Sequence, residues 1–427
     1  MQNKKLKFPR GFLWGAATSA HQVEGGTNND WTQWEKNNAD RIARGAGKKW
    51  EKWQQEKFPE MFDAQNYISG RACDHYNRYE EDFDLAKEGG HNAHRFSIEW
   101  SRIEPEEGRF DEKEIEHYRK VLIALRERGI EPFVTLWHWP NPVWVGQMNA
   151  WKNKDTVKYY LRYAERIFNE YKGLVKFWMP LNEPGTEVSL GYLFGNQPPG
   201  LKSKIGANFA FKNLMQTQKD VYKLAKSISP DFQIGCSHFM FDIRPYNDFP
   251  WNILAAKIMD YFANYRFFKA FDDSCDFLGI QYYQLFAINL KLGGHFWRIF
   301  ENKKVTELQS DLGWQIFPEG IYNVLKRASK SGKPIYITEN GIADADDSKR
   351  PKFTKDHLRF VQKAISEDVD VRGYFHWSFL DNFEFVEMRG FWPRFGLIEM
   401  DYKTLERHPR KSFYEYAKIC KSNEIEV

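Results

Sequence analysis

Two carboxylates close apolar runs in this chain, Glu183 in Leu181-Asn182-Glu183-Pro184 and Glu339 in Thr338-Glu339-Asn340-Gly341. A pair of carboxyl groups suits glycoside cleavage with retention. One attacks the anomeric carbon while the other protonates the leaving oxygen, across a gap of about 5–5.5 Å. A lone Glu at the end of a strand is more often ion-paired or solvated, so the pair carries weight only if the fold brings it together.

The elements that would do so are legible. Eight apolar or aromatic runs alternate with longer amphipathic segments. The runs lie near Leu13 to Ala20, Ala93 to Glu99, Pro132 to Trp137, Phe177 to Leu181, Gln233 to Ser237, Phe277 to Tyr282, Pro334 to Thr338 and Gly373 to Trp377. Repeated βα units of this kind predict an α/β fold, a single (β/α)8 TIM barrel with elaborated βα loops, whose catalytic groups project from the C-terminal ends of the strands. Strands four and seven, which carry the two Glu residues, can then face each other across the mouth. Helical spacing marks Glu112 to Arg128, which ends at Gly129, and also Lys154 to Tyr171 and Phe209 to Ser227. The polar stretch from Arg41 to Gly70 reads as a rim insertion with helical pieces. With no linker or low-complexity tract, residues 1–427 read as one catalytic domain.

Composition narrows the function further. The 62 basic and 58 acidic residues are interspersed, which argues against nucleic acid as a partner. Cys73, Cys236, Cys275 and Cys420 are scattered, which fits reduced thiols in a cytoplasmic protein and argues against a cysteine zinc site. Neither a signal peptide nor a membrane span is expected. Aromatic residues make up 17% of the chain and include 16 Trp; most serve as core, and a few can offer ring faces to sugar C–H groups. Gly45-Ala46-Gly47-Lys48-Lys49 lacks the Ser or Thr of a phosphate loop. His91 and His94 read as structural rather than metal-binding, and no metal or other cofactor is expected.

Several motifs occur in the order found in the glycoside hydrolase family 1 β-glycosidases, which this chain resembles over nearly its whole length. They are the run from Phe12 to Gly25 (Phe-Leu-Trp-Gly-Ala-Ala-Thr-Ser-Ala-His-Gln-Val-Glu-Gly), Arg95-Phe96-Ser97-Ile98-Glu99-Trp100-Ser101-Arg102, Leu136-Trp137-His138-Trp139, Asn182-Glu183-Pro184, Ile337-Thr338-Glu339-Asn340-Gly341 and Arg394-Phe395-Gly396-Leu397. The resemblance implies a retaining, exo-acting β-glycosidase acting on a β-glycoside or short oligosaccharide. It assigns Glu339 as nucleophile and Glu183 as acid/base, with Arg95 and Tyr283 contacting the nucleophile. It further implies that Gln22, His138, Asn182 and Glu384 bind sugar hydroxyls beside Trp139. Trp377 becomes the stacking floor and Trp314 a residue on the leaving-group side.

Three departures bear on specificity. Phe385 stands where the family usually has Trp, so an indole donor to the sugar is missing; two extra residues separate Glu384 from Gly390; and Gln281 replaces an Asn. Two alternatives remain at this point. A 6-phospho-β-glycosidase would need a cationic pocket where Glu384 stands, with Arg389 as its candidate cation. A non-catalytic sugar-binding barrel would have no need of the intact Glu pair.

Overall fold

The computed structural model describes residues 5–271, 273–290 and 300–426. Eight parallel strands close into a barrel: β1 (Leu13–Ala17), β2 (Ala93–Ser97), β3 (Glu131–Thr135), β4 (Phe177–Met179), β5 (Gln233–Phe239), β6 (Phe277–Gln281), β7 (Ile335–Asn340) and β8 (Val371–Trp377). β8 pairs with β1 in parallel, Gly373 opposite Leu13 through Trp377 opposite Ala17, which closes the ring. The expected (β/α)8 barrel is therefore the observed fold.

All eight expected strands are present, and their ends differ by a few residues. β1 stops at Ala17 because the next residues turn into a short helix, Ala20–Val23, whose first N–H is taken by the Ser97 hydroxyl at 2.8 Å. The expected helices also form. The Glu112–Glu127 helix starts where Asp111 accepts from the N–H groups of Lys113 and Glu114, and it buries Ile115, Tyr118, Val121, Leu122 and Leu125 on one face. The Asp155–Tyr171 helix buries Tyr160, Tyr163, Ile167 and Phe168, again at helical spacing. A third helix spans Lys204–Ile228.

Inside the barrel, aromatic rings from β3, β4, β6, β7 and β8 replace the usual branched aliphatics. Phe133 stacks on Phe177 at 4.3 Å and meets Phe375 at 4.8 Å and Tyr336 at 5.2 Å, while Phe277 lies 5.0 Å from Tyr336. Room for so many rings depends on glycine: a Cβ on Gly235 would sit 2.4 Å from the Phe277 ring. This plug fills the lower barrel and leaves the mouth to polar groups.

The rim insertion is more helical than its composition suggests. A 20-residue helix, Asp30–Lys49, begins with a capping box between Asn29 and Thr32, and helical pieces follow at Lys52–Lys57, Pro59–Phe62 and Ala64–Tyr67. A narrow buried stripe of Trp31, Glu35, Ala39, Ala43 and Ala46 holds the long helix to the barrel. The glycine-rich Gly45 to Lys49 stretch is the end of that helix. His91 and His94 are buried, and burial holds both well below the usual imidazole range. Among the described residues no helix is long and apolar enough to cross a membrane.

Candidate active site

Glu339 is the next-to-last residue of β7 and Glu183 follows β4 by four residues, so both reach the barrel mouth. Glu183 adopts φ 39, ψ 57, in the left-handed region that costs a non-glycine residue about 1–3 kcal/mol. The strain is held from the next turn, where the Thr186 N–H donates to the Glu183 carbonyl at 3.0 Å. Trp139 is likewise left-handed, at φ 86, and its indole N–H donates to the Asn182 carbonyl at 3.0 Å.

Glu339 is held on both oxygens. Oε1 accepts from Arg95 Nη1 and, at 2.7 Å, from Gln281 Nε2, while Oε2 accepts from the Tyr283 hydroxyl at 2.7 Å. Arg95, projecting from β2, also donates from Nη2 to Asn182 Oδ1 at 2.6 Å and from Nε to Thr135 at 3.2 Å. The Asn182 oxygen takes further bonds from Gln281 at 2.9 Å and Ser237 at 3.2 Å. The orientation of its amide is thereby fixed, with the NH2 group beside His138 Nε2 at 3.2 Å.

These neighbours separate the two carboxyl groups electrostatically. Burial, followed by the charge of Glu339, holds the Glu183 carboxyl well above the ordinary range. Burial raises Glu339 too, but there the Arg95 charge and the hydrogen bonds from Tyr283 and Arg95 pull back toward ionisation. A single proton shared by the pair therefore resides on Glu183. Burial and the Arg95 charge keep His138 neutral. Burial and the Glu339 charge keep Tyr283 protonated and able to donate.

One cavity of about 550 Å³ takes in Gln22, His138, Trp139, Asn182, Trp314, Trp377, Glu384 and Phe385 together with Glu183, Glu339 and Tyr283. Arg95, fully buried, lies beneath it. His138 and Trp377 run nearly parallel, 5.8 Å apart and 17° between planes. Gln22 is pinned by Ser19 at 2.6 Å and by the Phe383 carbonyl at 2.8 Å. Phe385 fills an aromatic box, 4.5 Å from Trp31 and 5.0 Å from Trp139. Gln281 is a site residue that the sequence marked only as a departure; its extra methylene lets one amide bridge Asn182 and Glu339. The apolar wall formed by residues 239–286 gave no sequence signal at all, because aromatics in that stretch look like core.

The longer loop after Glu384 is a closed hairpin. Glu384 and Gly390 exchange backbone hydrogen bonds at 2.8 Å in both directions, with Glu387 and Met388 left-handed at φ 50 and 51. Glu384 Oε1 accepts from the Val386 N–H at 3.1 Å, and burial pushes its carboxyl up to about 7 despite the nearby Arg389 charge. Arg389 pairs with Glu387 at 3.0 Å and lies over the Trp314 ring at 5.0 Å. Its charge is thereby paired within the loop through Nη2, while its buried Nε and Nη1 have no hydrogen-bond partner among the described residues.

A barrel with two electrostatically distinct glutamates at its mouth, in a sugar-sized cavity with aromatic floor and walls, is the architecture of a glycoside hydrolase. The family model for glycosyl hydrolase family 1 matches residues 4–271 and 268–425. Beta-glucosidase A of Thermotoga maritima is 32% identical over 98% of this chain and 99% of its own length, and the 1,4-beta-D-glucan glucohydrolase of Thermotoga neapolitana matches equally well. Among solved structures, a beta-glycosidase from Pyrococcus horikoshii is 37% identical, with a TM-score of 0.88 over 99% of this chain and 97% of that one. The T. maritima beta-glucosidase in complex with glucoimidazole is 30% identical, also with a TM-score of 0.88, over 98% of this chain and 99% of that one. The chain belongs to glycosyl hydrolase family 1 and is a glycoside hydrolase of the β-glucosidase type.

Proposed function

We propose that this protein is a retaining, exo-acting β-glycosidase that removes β-linked glucose, and also galactose or fucose, from non-reducing ends by double displacement. The observation that carries the reading is the difference between the two glutamates: Glu339 is held ionised by Arg95, Tyr283 and Gln281, while Glu183 keeps the proton. In the first step the Glu339 carboxylate bonds to the anomeric carbon, the bond to the leaving oxygen breaks, and the Glu183 proton passes to that oxygen. The ester neutralises Glu339. Glu183, now ionised, takes a proton from water as the water oxygen attacks the same carbon and releases Glu339.

Around the reacting carbon, Asn182, His138, Gln22 and Glu384 hold the sugar hydroxyls. Trp377 supplies the floor, while Trp139 and Phe385 form the wall and Trp314 flanks the leaving group. Phe385 offers no donor, which favours breadth at the sugar. The T. maritima relative has been solved both with glucoimidazole and with a galacto-hydroximolactam, in keeping with that breadth. No cofactor enters either step. A continuous buried core that includes both Phe8 and Ile425 supports one catalytic domain, and four buried free thiols support a reducing cytoplasm.

Glu339→Gly is expected to lower hydrolysis of an aryl β-glucoside by roughly 10⁴-fold or more while preserving the fold. Azide should then fill the vacated space and yield the α-glycosyl azide, whereas with Glu183→Ala it should yield the β-anomer. The two products are read by proton NMR. The opposite pairing of variant and anomer, or near-normal hydrolysis by either variant, would overturn the assignment.

A further inference from the structure

Three residues of the cavity wall carry buried polar atoms that have no hydrogen-bond partner among the described residues: His138 at Nδ1, His238 at Nδ1, and Arg389 at Nε and Nη1. His138 already has a place at the sugar. His238 gives its Nε2–H to the Ala263 carbonyl at 2.9 Å, and burial keeps the ring neutral, so its Nδ1 can only accept. Arg389 differs in kind, because it brings a charge and two idle donors while only 6% exposed. Donors left unpaired in the interior are costly, and a ligand in the cavity is what can take them.

The rest of the guanidinium is fixed. Nη2 donates to Glu387 Oε2 at 3.0 Å, an oxygen that Lys49 of the rim helix approaches to 4.0 Å, and the group lies 5.0 Å over the Trp314 ring. Its place relative to the reacting carbon follows from the two oxygens of Glu339. Oε1 leads through Gln281 to Asn182, whereas Oε2 leads through Tyr283 to Trp314, 5.9 Å away, and so to Arg389. A pyranoside has C2 on one side of its anomeric carbon and the ring oxygen, C5 and C6 on the other. With the C2 hydroxyl at Asn182, the C5–C6 arm points to Trp314 and Arg389.

The partner already on that side is an acceptor. Glu384 faces the cavity, takes the Arg389 backbone N–H on its carbonyl at 3.0 Å, and has a carboxyl near enough for the Arg389 charge to act on it. A hydroxyl suits both groups at once, giving its proton to the carboxylate and receiving one hydrogen bond from the guanidinium. A methyl satisfies neither, and an anion would meet Glu384.

We propose that Arg389 is a specificity-determining residue that donates through Nε and Nη1 to the C6 hydroxyl of the sugar being released. This deepens the glycosidase reading and rests on it. It also joins two departures in one hairpin: the segment that carries Phe385, with no donor of its own, is the segment whose two added residues bring Arg389 to the cavity.

The test compares 4-nitrophenyl β-glucoside with its 6-deoxy analogue, which differ only in this hydroxyl. Arg389→Met should lower the ratio of their kcat/KM values roughly tenfold or more, mainly by slowing the glucoside, and Arg389→Lys should fall between. The galactoside-to-fucoside ratio isolates the same oxygen and should fall in parallel. Should the Met variant fail to fold, the Lys variant, which keeps a charge beside Glu387, carries the comparison. An equal loss on both substrates, with the ratio unmoved, would make Arg389 merely structural and overturn the inference while leaving the glycosidase reading standing. A lowered ratio that recovers between pH 6 and 9 would mean that Arg389 acts only by keeping Glu384 ionised, since that carboxyl lies at about 7 with Arg389 present and higher without it, and this too overturns direct contact. A parent protein that cleaves no β-glycoside overturns both readings.

Discussion

Glu183 and Glu339 are both buried and both resist ionisation, but only Glu339 has Arg95, Tyr283 and Gln281 on its oxygens. The Glu339 charge is in turn the second cause, after burial, of the raised Glu183 pKa. An acid catalyst must carry its proton, so kcat/KM is expected to fall as pH rises through that raised value. In Glu339→Gln the neighbouring charge is gone, the ionised form of Glu183 is no longer penalised by it, and its pKa should drop. Carbon-13 NMR titration of labelled Glu in the two proteins measures this. An unchanged Glu183 would mean that burial alone sets it, leaving no reason for the residue to switch from acid to base once Glu339 is esterified. Both glutamates were legible in the sequence because their motifs place them at strand ends. The value of Gln281 was not, since a longer amide can be recognised as a bridge only when both of its partners are in place.

The hairpin from Glu384 to Gly390 sets where the Glu384 carboxyl and Phe385 stand at the cavity, and Gly390 pins it. At φ 79, with a Cβ that would meet the Asn66 carbonyl oxygen at 2.2 Å, no other residue fits without moving the loop. Asn66 also accepts the Phe391 N–H on its side-chain oxygen at 3.0 Å, and Gly390 exchanges backbone bonds with Glu384, so the displacement would pass from one end of the hairpin to the other. Gly390→Ala is expected to raise KM for aryl β-glucosides roughly tenfold, with kcat changed less, because sugar contacts move while Glu183 and Glu339 stay on their own elements. Steady-state kinetics check this, and an equal fall in kcat with KM unmoved would contradict it. The two extra residues were visible in the sequence, but the closed shape was not. It needs left-handed backbone at Glu387 and Met388, residue types that give no turn signal. The Asp30–Lys49 helix was obscured for a related reason: its buried stripe is one residue wide and mostly alanine, so polar composition dominated the reading.

The chain folds into a ring, and its ends meet below the barrel, away from the catalytic mouth. Lys5–Lys7 pairs antiparallel with Glu424–Glu426, and the Lys411–Ser422 helix covers the seam between β8 and β1, with the Tyr416 hydroxyl donating to the Gly15 carbonyl at 2.8 Å. The eight-unit periodicity predicts closure in sequence order, but pairings between residues about 400 positions apart leave no local trace, so this clasp could be seen only in three dimensions. Asn423 is its central residue. It sits at φ 56, accepts from the Trp14 indole at 2.9 Å, and donates to the carbonyls of Phe8 at 2.9 Å and Pro9 at 3.2 Å. Asn423→Ala would leave the Trp14 N–H without that partner and put a less tolerant residue in the left-handed region, at a cost of roughly 2–4 kcal/mol. Asn423→Gly loses the same side-chain bonds but none of the backbone fit, and should cost about 1 kcal/mol less. Because Glu183, Glu339 and their partners hang from the opposite end of the strands, kcat for both variants measured well below their melting temperatures should equal the parent's. Denaturant melts read alongside kcat separate the two effects: a loss of kcat in step with stability would mean that clasp and mouth are mechanically coupled through β1, whereas a melting shift alone confirms that the ends close the barrel without tuning its chemistry.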